Sequence, residues 1–393
     1  MDYISTTIAA EKWGVSPRQV QRLLAESRIS GARKYGRLWM VPADLEKPGD
    51  PRKGEPHKQL YADLCQIITA TTMPMPRANP DAVLDTISEE RLCLQYQGEL
   101  AYLRGDFETT KKCYEKTAGD NAARLRASSI AIAAAISLGD YSFYLEIESF
   151  LKGVIENSEK NELKVIAELF LSTAYVSAGI LNLVPSWLKD GNFAALIAAA
   201  KPDAAYKRVK YFQFLGQPES MLATAQTAWQ LCALKSKISF HDIYFQIACA
   251  MACYALGRIN EATRWLLDAM NIALPHGFIT PFAESATTFG SLLDKCLKQE
   301  YPEYCDAMAK LWKRSFPNWM IFHNLLTKDN ITVILSQRDY QIAQFAAHGI
   351  PYKVIAEQFH ISVGTLKNRM QVIYDMLHIS EKPRRQELAK FVF

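Results

Sequence analysis

LSQRDYQIAQFAAHGIPYKVIAEQFHISVGTLKNRMQVIYDMLHISEKPRRQELAKFVF, residues 335–393, holds three short amphipathic segments separated by a glycine and by a tight apolar turn. Apolar residues at helical spacing give each segment one inward face. In the first, Ser336 is placed to cap a helix with Asp339 as its acidic partner, Ile342, Phe345 and Ala346 face inward, and Gly349 ends it. The second, about Pro351 to Phe359, buries Ile355, Ala356 and Phe359. His360 and Ile361 make the turn, and Ser362 caps the third. There Leu366, Met370, Ile373 and Leu377 form one apolar stripe, which sends Gly364, Lys367, Asn368, Gln371 and Asp375 to the opposite side. Two helices joined by a tight turn outline a helix-turn-helix, whose second helix enters the major groove. Lysine can meet guanine O6/N7 there, and asparagine or glutamine can pair with adenine N6/N7.

The segment resembles a LuxR-type DNA-binding domain. The resemblance runs through Leu335-Ser336-x-Arg338-Asp339, Gly349, Ile355-Ala356-Glu357, Ile361-Ser362-x-x-Thr365-Leu366-Lys367-x-Arg369 and Ile373-Tyr374-x-x-Leu377. It implies base or phosphate contact by Lys367, Asn368 and Gln371, with Lys353 and Thr365 on the DNA backbone. It also implies action as a homodimer on two half-sites, with the repeats or the C-terminal helix as interface. Three positions depart from the family pattern: Asp339 replaces a glutamate, Arg369 a histidine, and Pro351 a small polar cap. Arg369 either adds a phosphate contact or flanks the core.

A second helix-turn-helix outline occupies the first forty-five residues. A helix over Thr6 to Trp13 ends at Gly14, Val15 plugs the turn, and Ser16, Pro17 and Gln19 supply cap, first-turn proline and capping box. Val20, Leu23 and Leu24 face inward, so Arg18, Gln21 and Arg22 face outward. ARKYGRLWMVP then reads as two strands turning at Tyr35-Gly36, a wing with Lys34 and Arg37 at its tip and Trp39 free to pack. The stretch resembles the small MerR-like or excisionase-like winged helix, which implies a helix in the major groove and a wing on phosphates. Exposed arginines are usually only a solvated face, but here helix and wing agree, and Arg18, Gln21, Arg22, Lys34 and Arg37 are the candidate contacts.

Between these ends, Glu46 to Lys58 is rich in Pro, Gly and charge and reads as a linker, and Met73 to Pro80 is a second proline cluster that loosens the lead-in. From Ser88 the chain is helical and self-similar. Glycines close successive helices at Gly105, Gly139, Gly179, Gly216 and Gly257, with spacings of 34, 40, 37 and 41 residues. A period of that size with two helices per unit is the signature of a helical solenoid. The first unit resembles a tetratricopeptide repeat (TPR), with Gly98, Tyr102, Gly105, Phe107 and Tyr114 at packing positions and Thr110 where alanine is usual. The last unit keeps small residues at Ala262 and Ala269. LPHGFITPFAE, Leu274 to Glu284, is similar to the phrase that closes the TPR-like region of MalT-like regulators, and Gly290 to Leu326 reads as a terminal helical cap. Stacked repeats build a concave groove that could take a protein, a peptide or a small-molecule effector. Trp187, Trp229 and Trp265 are each more simply read as core.

The expectation is a mainly α chain: a winged helix-turn-helix at 1–45, a linker and lead-in at 46–87, a TPR-like helical repeat domain at 88–326, and a LuxR-type domain at 327–393. Charge placement agrees. Residues 1–58 hold 11 Lys and Arg against 7 Asp and Glu, residues 335–393 hold 8 against 5, and the remainder holds 26 against 29. Basic ends on an acidic middle suit contact with DNA at both termini. Eight scattered cysteines, Cys249 and Cys253 nearest, read as apolar residues in a reducing cytosol rather than as disulfides or a metal site. MDYISTTIAA has no basic patch before an apolar run, and Val165 to Val184 carries Glu168, Ser172 and Thr173 without a basic flank, so no signal peptide or membrane span is expected. MalT-like regulators carry an ATP-binding module, but no phosphate-binding loop occurs here and no cofactor is expected. Dispersed histidines and the lack of a nucleophile elbow argue against an enzyme. The reading is a cytoplasmic bacterial transcriptional regulator binding double-stranded DNA. The other is a scaffold or adaptor whose terminal modules dock proteins.

Overall fold

The structure is a computed structural model that describes residues 3–25, 29, 31–36, 38–45, 47, 75–232, 237–289, 291–328, 335, 337–359, 361–377, 379, 380 and 383–392. The fold is mainly α, and the chain divides into two compact units, Met1–Leu64 and Cys65–Phe393. Arg37, Ser336 and His360 lie outside the described residues.

The small unit opens with β1 (Tyr3–Ser5), followed by α1 (Thr6–Trp13) and α2 (Pro17–Ala25). Gly14 takes the left-handed conformation, φ 62°, which turns the chain back while Val15 N–H donates to the Ala10 carbonyl. The Ser16 backbone N–H donates to Gln19 Oε1 at 3.1 Å and the Gln19 N–H to Ser16 Oγ at 3.3 Å, a reciprocal cap. β2 (Arg33–Tyr35) and β3 (Leu38–Pro42) pair antiparallel, and β1 adds to the far side of β3 in the order β1-β3-β2. The strand at Tyr3 is invisible to a pattern search, because three residues carry no alternation. Ala9, Ala10, Val20, Leu23, Leu24, Ile29 and Val41 form the core.

In the large unit, α3 (Glu90–Leu103), α5 (Asn121–Leu138), α7 (Asn161–Ala178), α8 (Lys201–Phe214) and α10 (Phe240–Ala255) follow one another side by side, backed by α4 (Phe107–Glu115), α6 (Tyr141–Asn157), α9 (Pro218–Cys232) and α11 (Ile259–Ala273). The five glycines read as period marks each stand just after one of the five inner helices, all with positive φ. Small residues let the pairs close up: Thr110 Oγ1 donates to the Gly98 carbonyl at 2.9 Å, and Ala262 and Ala269 are fully buried. Val165 to Ala178, within the stretch considered for a membrane span, belongs to an inner helix, and no described helix is long and apolar enough to cross a membrane.

The array differs from an open solenoid, in which each unit touches only its neighbours. A short helix, α12 (Thr280–Ser285), packs on both α10 and α3. Thr280 Oγ1 donates to the Tyr102 carbonyl, Tyr102 Oη donates to the Glu284 carboxylate, and Tyr244 Oη reaches the same carboxylate at 3.1 Å. Arg104 donates to the His276 carbonyl at 3.2 Å. First and last units are thereby joined, and six of the described helices, α3, α5, α7, α8, α10 and α12, form a ring. The concave groove expected from the repeats is closed into a lumen. The phrase Leu274 to Glu284 is the joint.

The linker expected at 46–58 lies almost wholly outside the described residues, but the lead-in from Met75 onward is tied down rather than loose. β4 (Met75–Pro76) pairs with β5 (Lys237–Ile238), Met75 and Val83 join the ring's core, and Arg104 grips Asp81 bidentately at 2.9 and 2.6 Å.

After α13 (Leu292–Glu300), the 23-residue α14 (Cys305–Thr327) does not stack as a cap on the last unit; it runs back across α12, α5 and α7. The reason lies in the helix ends beneath it. The last carbonyls of a helix have no partner within it. Arg314 donates to Gly105 O at 2.6 Å, Asn318 to Ser137 O at 2.9 Å and Trp319 Nε1 to Ser177 O at 2.8 Å, while His323 Nδ1 meets Ala178 O at 2.7 Å. One helix thus satisfies the C-terminal ends of three inner helices and spans one mouth of the ring.

Candidate nucleic-acid interface and an internal cavity

The C-terminal segment forms α15 (Gln337–Ala347), α16 (Tyr352–Gln358), α17 (Val363–Met376) and α18 (Arg384–Val392). The Leu366, Met370, Ile373 and Leu377 stripe is buried with Ile342, Phe345, Ala346, Ile355 and Ala356, as the periodicity requires. Ser362 Oγ accepts the Thr365 N–H at 2.9 Å and fixes the start of α17. A fourth helix, α18, was not visible as a separate amphipathic segment. It covers α15 with Leu388 and Val392.

This core continues into α14. Trp312, Phe316, Trp319 and His323 stack in succession along one face of that helix, with centroid separations of 5.4, 6.0 and 5.2 Å. Tyr340 of α15 packs at 6.3 Å from Phe316 and 6.0 Å from Trp319. Trp319 serves both sides, with its indole N–H on the Ser177 carbonyl of the ring and its aromatic system against Tyr340.

Opposite the buried stripe, Lys367, Asn368 and Gln371 of α17 are all exposed, as are Thr365 beside Ser362 and Lys353 on α16. Thr365, Lys367, Asn368 and Gln371 lie on the exposed half of α17, and Lys353 is exposed on α16. Two of them are less free than the sequence implies. The Gln371 amide donates to Asp375 Oδ1 at 2.7 Å and accepts from Arg384 at 2.8 Å, so it must exchange both partners to reach a base. The Thr365 hydroxyl is 2.8 Å from Ser362 Oγ. Arg384 also lies over the Tyr374 ring at 5.5 Å and Arg385 over Tyr352 at 4.4 Å. These two arginines flank the same side, and the signal for them was present in Pro383-Arg384-Arg385, a proline-started helix with a basic first turn.

Arg369 does not stand out toward a ligand. Its guanidinium grips the buried Asp339 carboxylate in a two-point pair, one arm at 2.9 Å, and this contact raises the Arg369 pKa further. Asp339 thereby ties α15 to α17, and the Ser336 cap expected at the start of α15 lies outside the described residues. Two of the three positions that depart from the LuxR-type pattern, Asp339 and Arg369, are each other's partner.

In the small unit, Arg18, Gln21 and Arg22 are exposed on the outer face of α2, and Lys34 on β2 lies 5.7 Å over the Trp39 ring. The structure brings the first three onto one helix face.

The ring lines a partly open cavity of about 210 Å³. All six ring helices line it, α14 closes it with Leu311, Trp312, Ser315 and Trp319, and α15 adds Gln344 and His348. Its chemistry is mixed. Lys207 pairs with Asp203, and His241 Nε2 is 3.6 Å from the same carboxylate. Although burial pushes against it, that company holds Asp203 down at about 2. Burial raises Glu99 and Glu284 above the usual carboxylate range and lowers Lys207 and Lys210. His348, with its Nδ1 at 2.8 Å from the Gln344 carbonyl, is lowered to about 4 by burial and by the nearby Lys210 charge. Asp203, Lys207 and Lys210 share one face of α8, but nothing in a single sequence marks Glu99, His241, Glu284 and His348, on other helices, as their neighbours. Among the described residues no group of three or more His, Cys, Asp or Glu comes together as a metal site.

No family model, curated protein or solved structure matches the chain.

Proposed function

We propose that the chain is a sequence-specific DNA-binding transcriptional regulator, with a winged helix-turn-helix at one end, a LuxR-type helix-turn-helix at the other and a TPR-like ring between them as sensor. One observation carries the reading: α17 turns Lys367, Asn368 and Gln371 outward while its opposite stripe anchors it in a packed core. A helix held rigidly from behind with lysine and carboxamides in front is what base readout needs. Lys353, Arg384 and Arg385 supply flanking charge for phosphates. Arg18, Gln21 and Arg22 make the same proposal for α2, with Lys34 for the wing. DNA binding of this kind is proposed to involve a homodimer in the cytoplasm.

The test is selection of bound genomic fragments by the full chain, followed by titration of a recovered site at several salt concentrations. Lys367→Ala weakens binding by about 1–3 kcal/mol at the selected site and leaves circular dichroism unchanged. Binding that stays at its original strength removes α17 as the reader. Affinity that hardly responds to salt favours the scaffold reading, because phosphate contacts make log K fall steeply with log salt.

A further inference from the structure

The lumen contains groups that DNA readout does not use. Lys210 is deep in the fold, yet its side chain keeps accessible surface, because it lines the cavity. Lys207 is closed off by Asp203, whereas no described residue gives Lys210 a hydrogen bond or an ion pair; the Glu284 carboxylate acts on it only at longer range, and the Phe214 ring lies 5.8 Å away. A desolvated ammonium without a contacting anion is costly and is stabilised by one. Two buried acceptors in the same wall, Gln213 Oε1 and Gln344 Oε1, also have no hydrogen-bond partner. Buried carboxamide oxygens of this kind call for a donor. Between these groups the walls are aromatic: Tyr206, Phe214, Tyr244, Trp312 and Phe316. A cavity of about 150 Å³ holds benzene; this one, at about 210 Å³, has room for a substituted ring.

We propose that the lumen binds a small aromatic carboxylate carrying a hydroxyl, with its carboxylate on Lys210 and its hydroxyl donating to Gln213 or Gln344. The anion restores to Lys210 the stabilisation that burial removes. Gln344 belongs to α15, so an occupant that donates to it ties the ring to the C-terminal helices. The site does not depend on the DNA reading: binding is measured without DNA, and either proposal can fail alone.

The experiment is isothermal titration of the full chain with 4-hydroxybenzoate, benzoate and neutral 4-hydroxybenzyl alcohol. We expect saturable binding of 4-hydroxybenzoate, weaker binding of benzoate, and binding of the alcohol weaker by about tenfold or more. Lys210→Met lowers affinity for both acids by about tenfold or more, while Lys210→Arg keeps most of it. Amide exchange in α8 and α15 slows when the acid is present. Should Lys210→Met fail to fold, Gln344→Leu serves: it abolishes the advantage of the hydroxylated acid over benzoate if Gln344 is the acceptor, and Gln213→Leu does so if Gln213 is. The proposal is overturned if no acid gives saturable heat, which would make the lumen a water-filled cavity. It is equally overturned if the alcohol binds as well as the acid, or if a folded Lys210→Met binds as the wild type does.

Discussion

At the scale of single residues, the pair Asp339–Arg369 explains how two unusual choices can stand in one helical domain. Asp339 is buried and Arg369 is half exposed. Removing the guanidinium leaves a buried carboxylate with its strongest partner gone, whereas removing both charges does not. Arg369→Ala is therefore expected to cost about 2 kcal/mol in urea unfolding of the full chain. Adding Asp339→Asn to it should return part of that loss. A double variant no more stable than Arg369→Ala would mean that the carboxylate is already satisfied by other groups. The same pair shows where single-sequence reading stopped. Leu366, Met370, Ile373 and Leu377 were legible because helical spacing dictates a common face, and so was the outward direction of Lys367 and Asn368. The partner of Arg369, thirty positions away on another helix, was not, because nothing local distinguishes a solvated arginine from a paired one.

At the scale of elements, α14 behaves as a strap whose fit depends on glycine. Gly105 and Gly139 have φ of 81° and 68°, and a Cβ at either would meet α14: Leu311 at 2.9 Å and Asn318 at 3.1 Å. Gly257 has the same backbone conformation, φ 74°, but open space around it. All three Gly→Ala changes incur the left-handed penalty of about 1–2 kcal/mol. Gly105→Ala and Gly139→Ala should exceed Gly257→Ala by about 1 kcal/mol more, the cost of forcing packed side chains aside. They alone should speed amide exchange within α14. Equal losses for all three variants, with α14 exchange unchanged, would refute the strap. The glycine spacing was readable because each inner helix needs a left-handed residue to end. What that spacing could not convey is the second duty of the same glycines, which is to leave room for a helix two hundred residues downstream.

At the scale of the large unit, the ring and the C-terminal helices share a lumen with strongly shifted acids and bases, and its protonation ties stability to pH. Local periodicity gave the helix pairs but not their closure, because closure depends on Tyr102, Tyr244, Thr280 and Glu284, whose polar groups look unremarkable in sequence. Three kinds of group act on different sides of neutrality. Asp203, held at about 2, contributes stability that is complete above the ordinary carboxylate value and is lost as pH falls toward 2. Glu99 and Glu284 have raised values, so the stability they contribute is present in acid and declines as pH rises above the ordinary range. His348 is lowered from 6.5 to about 4. Between those values the unfolded chain binds a proton that the folded chain refuses, so stability is complete above 6.5 and falls as pH drops toward 4. Burial is the main cause of this direction and Lys210 adds to it by repelling the protonated ring, while the contact of Nδ1 with the Gln344 carbonyl works against it. His348→Gln should flatten the stability profile between pH 6.5 and 4 by up to about 1.4 kcal/mol per pH unit, the limit for one proton. It should leave the Asp203 portion below pH 4 in place. Because His348 lies at the end of α15, acid should also raise amide exchange in α15 before it does so in α5 or α7, and this order should vanish in the variant. A wild-type profile that is flat over that interval, or a variant that matches it, would show that the His348 ring accepts its proton as freely in the folded chain as in the unfolded one.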